Sequence, residues 1–495
     1  MTEHDGPTTV GQLPTPTRSG SRVPWALTRL AWLLCVASVG VLAARVVADL
    51  SWGVPGLVVV DGLTAVMWVT VTFFSGIVHS YSRRYLAGSR TVDRFVGRVF
   101  AFTLTVMVLV AADSFVLFVA AWVTMGLVMA ELIGHVEGWP QAGAAAALAR
   151  RYFLAGGAAL TVAIGALRLS TGAAAISAVP AAVEAAPSAL VLLVAAALLL
   201  AAMIQSALVP FHTWLLSSMT APTPASALMH AGFVNAGGVL LVRFAPVVTV
   251  DAGVLLAVVL VGATSAILGK FLKTVRTDVK GKLGCSTVGQ MGFMIVQAGL
   301  GFFGAAVAHL ILHGFYKAYQ FLGSGGTVHH EHPTATPDSG SLTPLGVVAT
   351  GGTALAAGGT FAVLTGKGTS FDSGLLLTLL VTLTTLHAAR GFVADAALPG
   401  AVRYGAVPVV AIPAIAVYAG VYNVVAGLLA GLPAVGEPAA LTPIHGLVAV
   451  AFLAAYLAVE TGAYKRSRRV YVALLNATQP APETQLTATE DYNEY

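Results

Sequence analysis

The chain has 495 residues, of which 57% are hydrophobic and only 9% are charged, and its formal net charge is +5 at pH 7. About a quarter of the residues of an ordinary soluble protein are charged, so this composition excludes one. Apolar runs of 18 or more residues recur along almost the whole chain, and each is long enough to cross a hydrocarbon core about 30 Å thick. We predict an all-α, polytopic membrane protein. The basic residues lie in short loops between the runs, which indicates membrane topology rather than nucleic-acid binding.

Three segments follow from the distribution of apolar residues. Residues 1–23 are polar and rich in Pro, Thr, Gly and Ser, and we expect a disordered cytoplasmic arm. Residues 24–462 form the membrane domain, whose first apolar run is too long for a cleaved signal peptide. Residues 463–495 form a cytoplasmic tail, and we expect it to be disordered from Tyr471 onward, or ordered only on a partner.

The apolar runs predict about fourteen crossings. They lie near residues 24–47, 54–80, 95–112, 114–134, 145–167, 187–208, 222–246, 252–271, 283–301, 303–327, 345–366, 373–391, 404–430 and 441–462.

Basic residues test this count. If the amino terminus is inside, all but five of the 26 lysines and arginines fall on the inner side. Arg45, Arg168, Arg243 and Lys367 fall outside, and Lys317 is left within the membrane. Because cytoplasmic loops carry the Lys and Arg excess, we predict that both termini are cytoplasmic.

The strongest functional candidates are His309, His313 and Lys317, which recur at every fourth residue of an apolar run. On a helix they share one face and cover roughly 12 Å. Ionisable groups at membrane depth cost ~3 kcal/mol or more and usually mark ion or proton routes. Histidine exchanges protons near neutral pH, so the pattern predicts a relay.

Other polar residues are candidates with open alternatives. Asp61 interrupts the second run and either pairs with a cation, stays protonated or lies at the outer interface. Glu131 and His135 are four apart at the inner end of the fourth run, where they form either a proton port or a solvated pair.

Prolines and glycines predict interrupted helices. Pro210 ends one run, Pro222 restarts the next, and the pair at 237–238 loosens that helix. Broken helices at membrane depth are typical of transporters. His230 and Asn235 lie within the broken seventh helix and predict a polar site there.

Several chemistries are not indicated. The tract 329–332, His-His-Glu-His, falls in a loop, where we expect a solvated or partner-facing segment rather than a metal. Cys35 and Cys285 have no metal-ligand or disulfide pattern. The chain has no Walker loop, dinucleotide glycine pattern or nucleophile elbow, so we expect no catalytic residue or cofactor. Any energy used would come from an ion gradient.

Three separated motifs carry a family resemblance. In order, they are Ala221–Gly232, Arg276–Gly292 and the 309, 313, 317 ladder. They resemble the proton-conducting membrane subunits of respiratory complex I and of Mrp-type cation/proton antiporters. The resemblance implies two inverted five-helix repeats, at roughly 95–246 and 252–391, each with a broken helix, around a polar axis. It also implies the cell membrane of a prokaryote.

Within that superfamily, the chain is more similar to the membrane subunits of DAB inorganic carbon accumulation complexes. The segments that carry this similarity are 81–86, 121–123, 209–215, 230–238 and 316–319. The apolar helices also end after about fourteen, whereas the largest antiporter-like subunit of complex I continues into a long lateral helix.

Two positions depart from the superfamily pattern. Its members carry a glutamate directly after the tryptophan matched by Trp122, where this chain has Val123. They carry a lysine before the Ser-Ala matched at 206–207, where this chain has Gln205. Glu131, two turns beyond Val123, is a candidate substitute for the carboxylate, and nothing comparable replaces the lysine.

The resemblance implies a subunit that conducts protons or Na⁺ and drives a soluble DabA-like partner related to carbonic anhydrases, with zinc on the partner. The alternative is a proton-pumping subunit of an NADH-quinone oxidoreductase or of an Mrp-type Na⁺/H⁺ antiporter. A third possibility, a structural membrane scaffold, leaves a buried Lys317 unexplained.

Overall fold

A computed structural model describes residues 21–48, 51–324, 343–394, 399–400 and 402–485. The described chain is almost entirely helical, and it contains twelve helices long and apolar enough to cross a membrane. Two further helices of 21 residues, α13 and α14, carry polar side chains and complete the fourteen predicted crossings. The predicted all-α polytopic fold is confirmed.

The helices have the following bounds: α1 Val23–Ala48, α2 Gly62–Tyr85, α3 Val92–Ala111, α4 Phe115–Ile133, α5 Pro140–Thr171, α6 Val179–Ala185, α7 Ser188–Gln205, α8 Thr213–Ser217, α9 Thr223–Ala231, α10 Ala236–Arg243, α11 Ala245–Val248, α12 Ala252–Val275, α13 Val279–Gly299, α14 Phe303–Gly323, α15 Pro344–Thr365, α16 Gly374–Ala394, α17 Val407–Leu429, α18 Pro443–Glu460, α19 Ala463–Arg466 and α20 Arg468–Ala477.

The second crossing starts later than predicted because the chain first forms a hairpin. Strand β1, Trp52–Val54, pairs antiparallel with β2, Val58–Val60. Gly56 turns the chain with φ of 72°, and the β-branched valines favour extended backbone. The prediction of helix from residue 54 is therefore wrong over 54–61. Asp61 ends the hairpin and caps α2, accepting from the Thr64 amide at 2.9 Å.

The bundle has two distinguishable ends. Arg83 and Arg84 lie in the last turn of α2, and Lys273 lies in the last turn of α12. Glu131 at the end of α4 pairs with Arg98 of α3 and Arg150 of α5. We call the end that holds these connections the basic end and the other the opposite end.

Two helices are interrupted, and both interruptions fall within the predicted first repeat. The chain leaves helical form after Gln205 and resumes it at Thr213. It breaks again after Ala231, where a 3₁₀ segment, Phe233–Asn235, precedes α10. The predicted loosening at the 237–238 glycine pair is wrong, because both glycines lie inside α10. The expectation of a broken helix in the second repeat is wrong for the described residues, because each of the helices α12 to α16 is continuous there.

The tail is more ordered than predicted. Residues 468–477 form α20, and Leu474 packs on Leu216, Leu272 and Cys285. The Ala481 amide donates to Ser217 at 2.9 Å, next to the first interruption. The prediction of disorder from Tyr471 is wrong as far as residue 485. The other residues predicted to be disordered, and the tract 329–332, lie outside the described residues, apart from 21–23.

Glycines set the spacing of α12 and α13, the helices that flank the candidate site. Gly262 faces Gly292 and Val296, Gly269 faces Gly289, and Gly299 faces Val259, so the helices run antiparallel. A Cβ added at Gly262, Gly269, Gly292 or Gly299 would overlap backbone of the other helix. Small residues allow membrane helices to approach closely.

This packing predicts that two Gly→Ala substitutions change the stability of the protein in opposite directions. Gly292→Ala should destabilise the protein by about 1–3 kcal/mol, because the added methyl group has no space. Gly165→Ala, in α5 with nothing within 4 Å of an added Cβ, should be neutral or stabilising by up to about 1 kcal/mol. Thermal unfolding in detergent measures both, and equal effects would contradict the packing.

Candidate functional site

The predicted ladder forms one face of α14. The rings of His309 and His313 stack with centroids 5.8 Å apart. Lys317, one turn further on, is completely buried, and its ammonium donates to the Leu283 carbonyl at 2.8 Å. A buried lysine needs such a partner, because an unpaired ammonium is costly in an apolar interior. The three groups therefore share one face, as predicted.

Gly314 allows α14 to pack closely against the interrupted helix formed by α9 and α10. Gly314, between His313 and Lys317, lies against the Ala231 carbonyl and the Phe74 ring, and a Cβ there would overlap both. His313 consequently lies against the backbone of His230. The close approach places α14 beside the break that follows α9.

Thr287 connects Lys317 to His230. Its hydroxyl lies 3.0 Å from the Leu283 carbonyl and 2.9 Å from His230 Nδ1. A threonine has one O–H, so when it donates to Leu283, His230 donates from Nδ1 and keeps its lone pair on Nε2. The His230 ring also stacks on Phe321, with centroids 4.3 Å apart. This arrangement fixes both the ring and its tautomer.

Several buried polar atoms along this axis have no hydrogen-bond partner among the described residues. They are Nε2 of His230, His309 and His313, and Oδ1 of Asn235. Nearly all buried polar atoms in proteins are hydrogen-bonded, so a row of exceptions calls for an explanation. Imidazole nitrogens in a row, each able to accept or release a proton, can pass protons from one to the next through water.

The two interruptions meet at Gln205. Its Nε2 donates to the Phe233 carbonyl at 3.2 Å, and Ser206 donates to the Val234 carbonyl at 2.8 Å. Asn235 donates to the Ala231 carbonyl at 2.7 Å. The side chains thus satisfy carbonyls that the breaks leave unpaired. Gln205 therefore reaches the break that contains Asn235, next to the polar site predicted at His230 and Asn235.

Asp61 lies away from the ladder, at the opposite end. It forms an ion pair with Arg243, whose Nη2 also donates to the Val110 carbonyl. Burial opposes ionisation of Asp61, but the positive charge of Arg243 and hydrogen bonds from Arg243 and Thr64 outweigh it and lower its pKa. The pair joins α2, α3 and α10. Asp61 therefore has the cation partner that was one of its predicted alternatives.

Glu131 and His135 do not pair with each other. Glu131 is exposed and bound by Arg98 and Arg150, at 2.8 and 2.9 Å. His135 contacts Thr91 at 3.0 Å. Burial lowers the pKa of His135, and nearby Arg98 and Arg94 add to the effect. Both residues lie at the basic end, and neither takes the place of a carboxylate beside Gln205.

Sequence reasoning missed one buried cation, one partly buried cation and one connecting hydroxyl. It counted Arg243 on the outer side and Lys270 on the inner side, which left Lys317 as the only Lys or Arg in the membrane interior, and the burial of Arg243 contradicts this. Arg243 is buried in α10, and Lys270 lies inside α12, where its ammonium contacts His387 Nε2 at 2.6 Å. Both lie near helix ends, where composition does not separate loop from helix. Thr287 carried no signal, because threonine is common in membrane helices.

The sequence and the fold match known proteins. A family model described as NADH:quinone oxidoreductase/Mrp antiporter, TM, matches residues 112–345. A second, described as NADH-Ubiquinone oxidoreductase (complex I), chain 5 N-terminus, matches residues 52–96. The structure of the Mrp complex from Dietzia has the same fold over 95% of this chain and 52% of that chain, with a TM-score of 0.56 at 24% identity. The two family models place the chain in the antiporter-like superfamily of complex I and Mrp over the residues that they match.

Within that family, the chain is similar to subunits named for inorganic carbon transport. It is 38% identical over 328 residues to the probable inorganic carbon transporter subunit DabB1 of Halothiobacillus neapolitanus, covering 63% of this chain and 58% of that protein. It is 34% identical over 327 residues to DabB of Bacillus subtilis, covering 64% and 63%. NADH-quinone oxidoreductase subunit L of Mycobacterium tuberculosis is 33% identical over 279 residues, covering 55% and 44%. The chain therefore spans only 44–63% of the length of these relatives.

The ion pair at the opposite end predicts a large stability effect. Asp61→Asn leaves the Arg243 guanidinium buried without its counter-charge, and we expect a loss of about 3 kcal/mol. Because the fold lowers the pKa of Asp61, its contribution is present above about pH 4 and is lost as the pH falls through the lowered value. Thermal unfolding between pH 7 and pH 3 measures both effects.

A matched control is Glu137→Gln, which removes the exposed partner of Arg94. An exposed pair contributes at most about 1 kcal/mol. Equal losses of stability in the two variants would mean that the Asp61–Arg243 pair contributes no more than an exposed ion pair.

Because Thr287 connects His230 to Leu283, we predict that removing its hydroxyl lowers transport while leaving the fold intact. Thr287→Val keeps the shape but removes the hydroxyl between His230 and Leu283, and we expect ion-driven transport to fall about tenfold or more, corresponding to about 1.4 kcal/mol. Thr287→Ser should retain transport because it keeps the O–H. Transport assays on folded variants test this, and equal rates for Val and Ser would exclude the connection.

Proposed function

We propose that this chain is the ion-conducting membrane subunit of an energy-coupled inorganic carbon uptake complex. In this proposal, protons or Na⁺ flow down their gradient through the chain and drive a soluble partner that converts CO₂ to bicarbonate. The similarity to DabB subunits supports the carbon cargo. The observation that carries the ion-conducting role is the buried Lys317, linked to His230 through Leu283 and Thr287.

The free-energy cost of burying Lys317 supports a functional role for it. A lysine in the membrane interior is expensive, and a leucine at this position would pack as well without that cost. The histidines preceding it on the same face would transfer the ion between helix ends. Conduction in this proposal is concentrated around α13 and α14, because Val123 and Gln205 leave the first repeat without the acid and lysine that its relatives carry.

We assign the basic end to the cytoplasm. The lysines and arginines that close the α2–α3, α4–α5 and α12–α13 connections support this assignment. Both termini would then be cytoplasmic, in the cell membrane of a prokaryote. The partner would dock on this end, where α20 and the residues after it contact the first interruption.

The partner would carry the catalysis. We propose a DabA-like, carbonic-anhydrase-related subunit, with zinc bound by the partner rather than by this chain. Among the residues that the structure describes, no group of three or more His, Cys, Asp or Glu side chains could hold a metal ion.

A second candidate is a proton-pumping subunit of an NADH-quinone oxidoreductase or of an Mrp-type antiporter. The similarity to subunit L favours it, at 33% identity. Co-purification discriminates the two functions: a large soluble carbonic-anhydrase-like protein supports carbon uptake, and several small membrane subunits support the alternative.

The proposal predicts that Lys317→Gln abolishes uptake of labelled inorganic carbon in cells that produce the chain with its partner, lowering it at least about tenfold. The variant removes the group that must change protonation. Uptake by the unsubstituted complex should also collapse with an uncoupler.

The control is Lys282→Gln, an exposed lysine next to Leu283. It should retain uptake, with both variants purified at equal yield. Uptake that persists in Lys317→Gln and in the presence of an uncoupler would leave the chain as a scaffold and overturn the proposal.

A further inference from the structure

A cavity of about 380 Å³ lies on the side of the ladder away from the interrupted helices. Six helices enclose it, namely α12, α13, α14, α16, α17 and α18, and each contributes polar or titratable residues: Lys270, Gln290, His309, His387, Tyr418 and Tyr456. A cavity surrounded by helices on all sides can open only toward an end of the bundle.

The depth of its lining residues identifies that end. His309 lies six residues, or about 9 Å, from the start of α14 at the opposite end. Lys270 and Lys273 lie within the last six residues of α12, at the basic end. The cavity therefore extends from the basic end past the middle of the bundle and reaches His309. Nε2 of that histidine is buried without a partner among the described residues.

A chain of hydrogen bonds crosses the mouth of the cavity, by which we mean its opening at the basic end beside Lys270. The Lys270 ammonium donates to His387 Nε2 at 2.6 Å, and His387 Nδ1 donates to Glu460 at 2.6 Å. The other oxygen of Glu460 accepts from Arg390 at 2.7 Å. A proton that moves from Lys270 to Nε2 leaves a neutral amine and an imidazolium. Release of the Nδ1 proton to Glu460 restores a neutral imidazole, so the chain can carry a proton without any metal ion.

The charges around the mouth do not balance. Lys270, Lys273 and Arg390 supply three basic groups against the single carboxylate of Glu460, which His387 and Arg390 already engage. A cleft of one sign between low-dielectric walls focuses its potential and repels ions of the same sign. Na⁺ would have to pass this positive region, whereas a proton can move along the hydrogen bonds that join Lys270, His387 and Glu460.

We propose that this cavity is the access route between the basic end and His309, and that its basic lining excludes metal cations, so that the ion exchanged at this end is a proton. This inference rests on the proposed ion-conducting function and specifies its ion. Lys270 and His387 are then positioning and relay residues for the ladder rather than lipid-facing or solvated side chains.

The test measures access and charge selectivity without requiring transport. In the full chain with Cys35→Ala and Cys285→Ala, His309→Cys is exposed to two membrane-impermeant methanethiosulfonates, one with an anionic sulfonate and one with a cationic trimethylammonium group. Vesicles of both orientations are used. Gln290→Cys provides a second position in the cavity if the first variant folds poorly. Val307→Cys, buried on the same helix and outside the cavity lining, is the matched control.

The expected result is labelling from the basic end only, about tenfold faster with the anionic reagent than with the cationic one. Lys270→Gln with Lys273→Gln should remove that preference, and Val307→Cys should remain unlabelled. Labelling from the opposite end alone, no labelling at either cavity position, or equal rates with the two reagents would overturn the inference. Because labelling is independent of flux, these outcomes are separate from failure of the proposed function, which the Lys317→Gln uptake measurement reports.

Discussion

The structure depends on one contact, the burial of the Lys317 ammonium against the Leu283 carbonyl. An ammonium can be accommodated in an apolar interior only where an acceptor is fixed beside it. Fixing the acceptor requires α13 to lie close to both α12 and α14, which the glycines along α12 and α13 allow. The same requirement places Thr287 next to His230. The same helix contacts therefore fix both the packing of this part of the bundle and the geometry of the proposed relay.

The polar groups around that contact fall into two parts with different chemistry. Toward the first repeat lie His230, Asn235 and Gln205, where two broken helices satisfy each other's backbone. On the other side of α14 lie His309 and the cavity that connects it with Lys270 at the basic end. The first part contains amides and one imidazole, whereas the second contains most of the titratable groups. In the proposed function this asymmetry places conduction in the second part, because Val123 and Gln205 stand where the superfamily pattern has a glutamate and a lysine.

Sequence patterns predicted what depends on local chemistry. Long apolar runs predicted the helices, and spacing of four placed His309, His313 and Lys317 on one face. What could not be predicted depends on contacts between distant segments, such as Arg243 with Asp61 or Lys270 with His387. The hairpin before α2 was missed because its valines satisfy the criterion for an apolar helix equally well. The break at Gly232 was placed too late because Gly237 and Gly238 provide close packing rather than flexibility.

The most direct test of proton conduction uses vesicles that contain the purified complex with its basic end and partner facing outward, and it follows proton movement out of them with an internal pH indicator under an imposed membrane potential. CO₂ hydration releases its own proton on the partner's side, so in this orientation turnover changes the internal pH only through protons that cross the membrane. We expect internal alkalinisation that requires CO₂ turnover by the partner, is independent of Na⁺ and is absent when position 317 cannot be protonated. Alkalinisation that is unchanged without a protonatable group at position 317, or turnover with no proton movement, would contradict the proposed function.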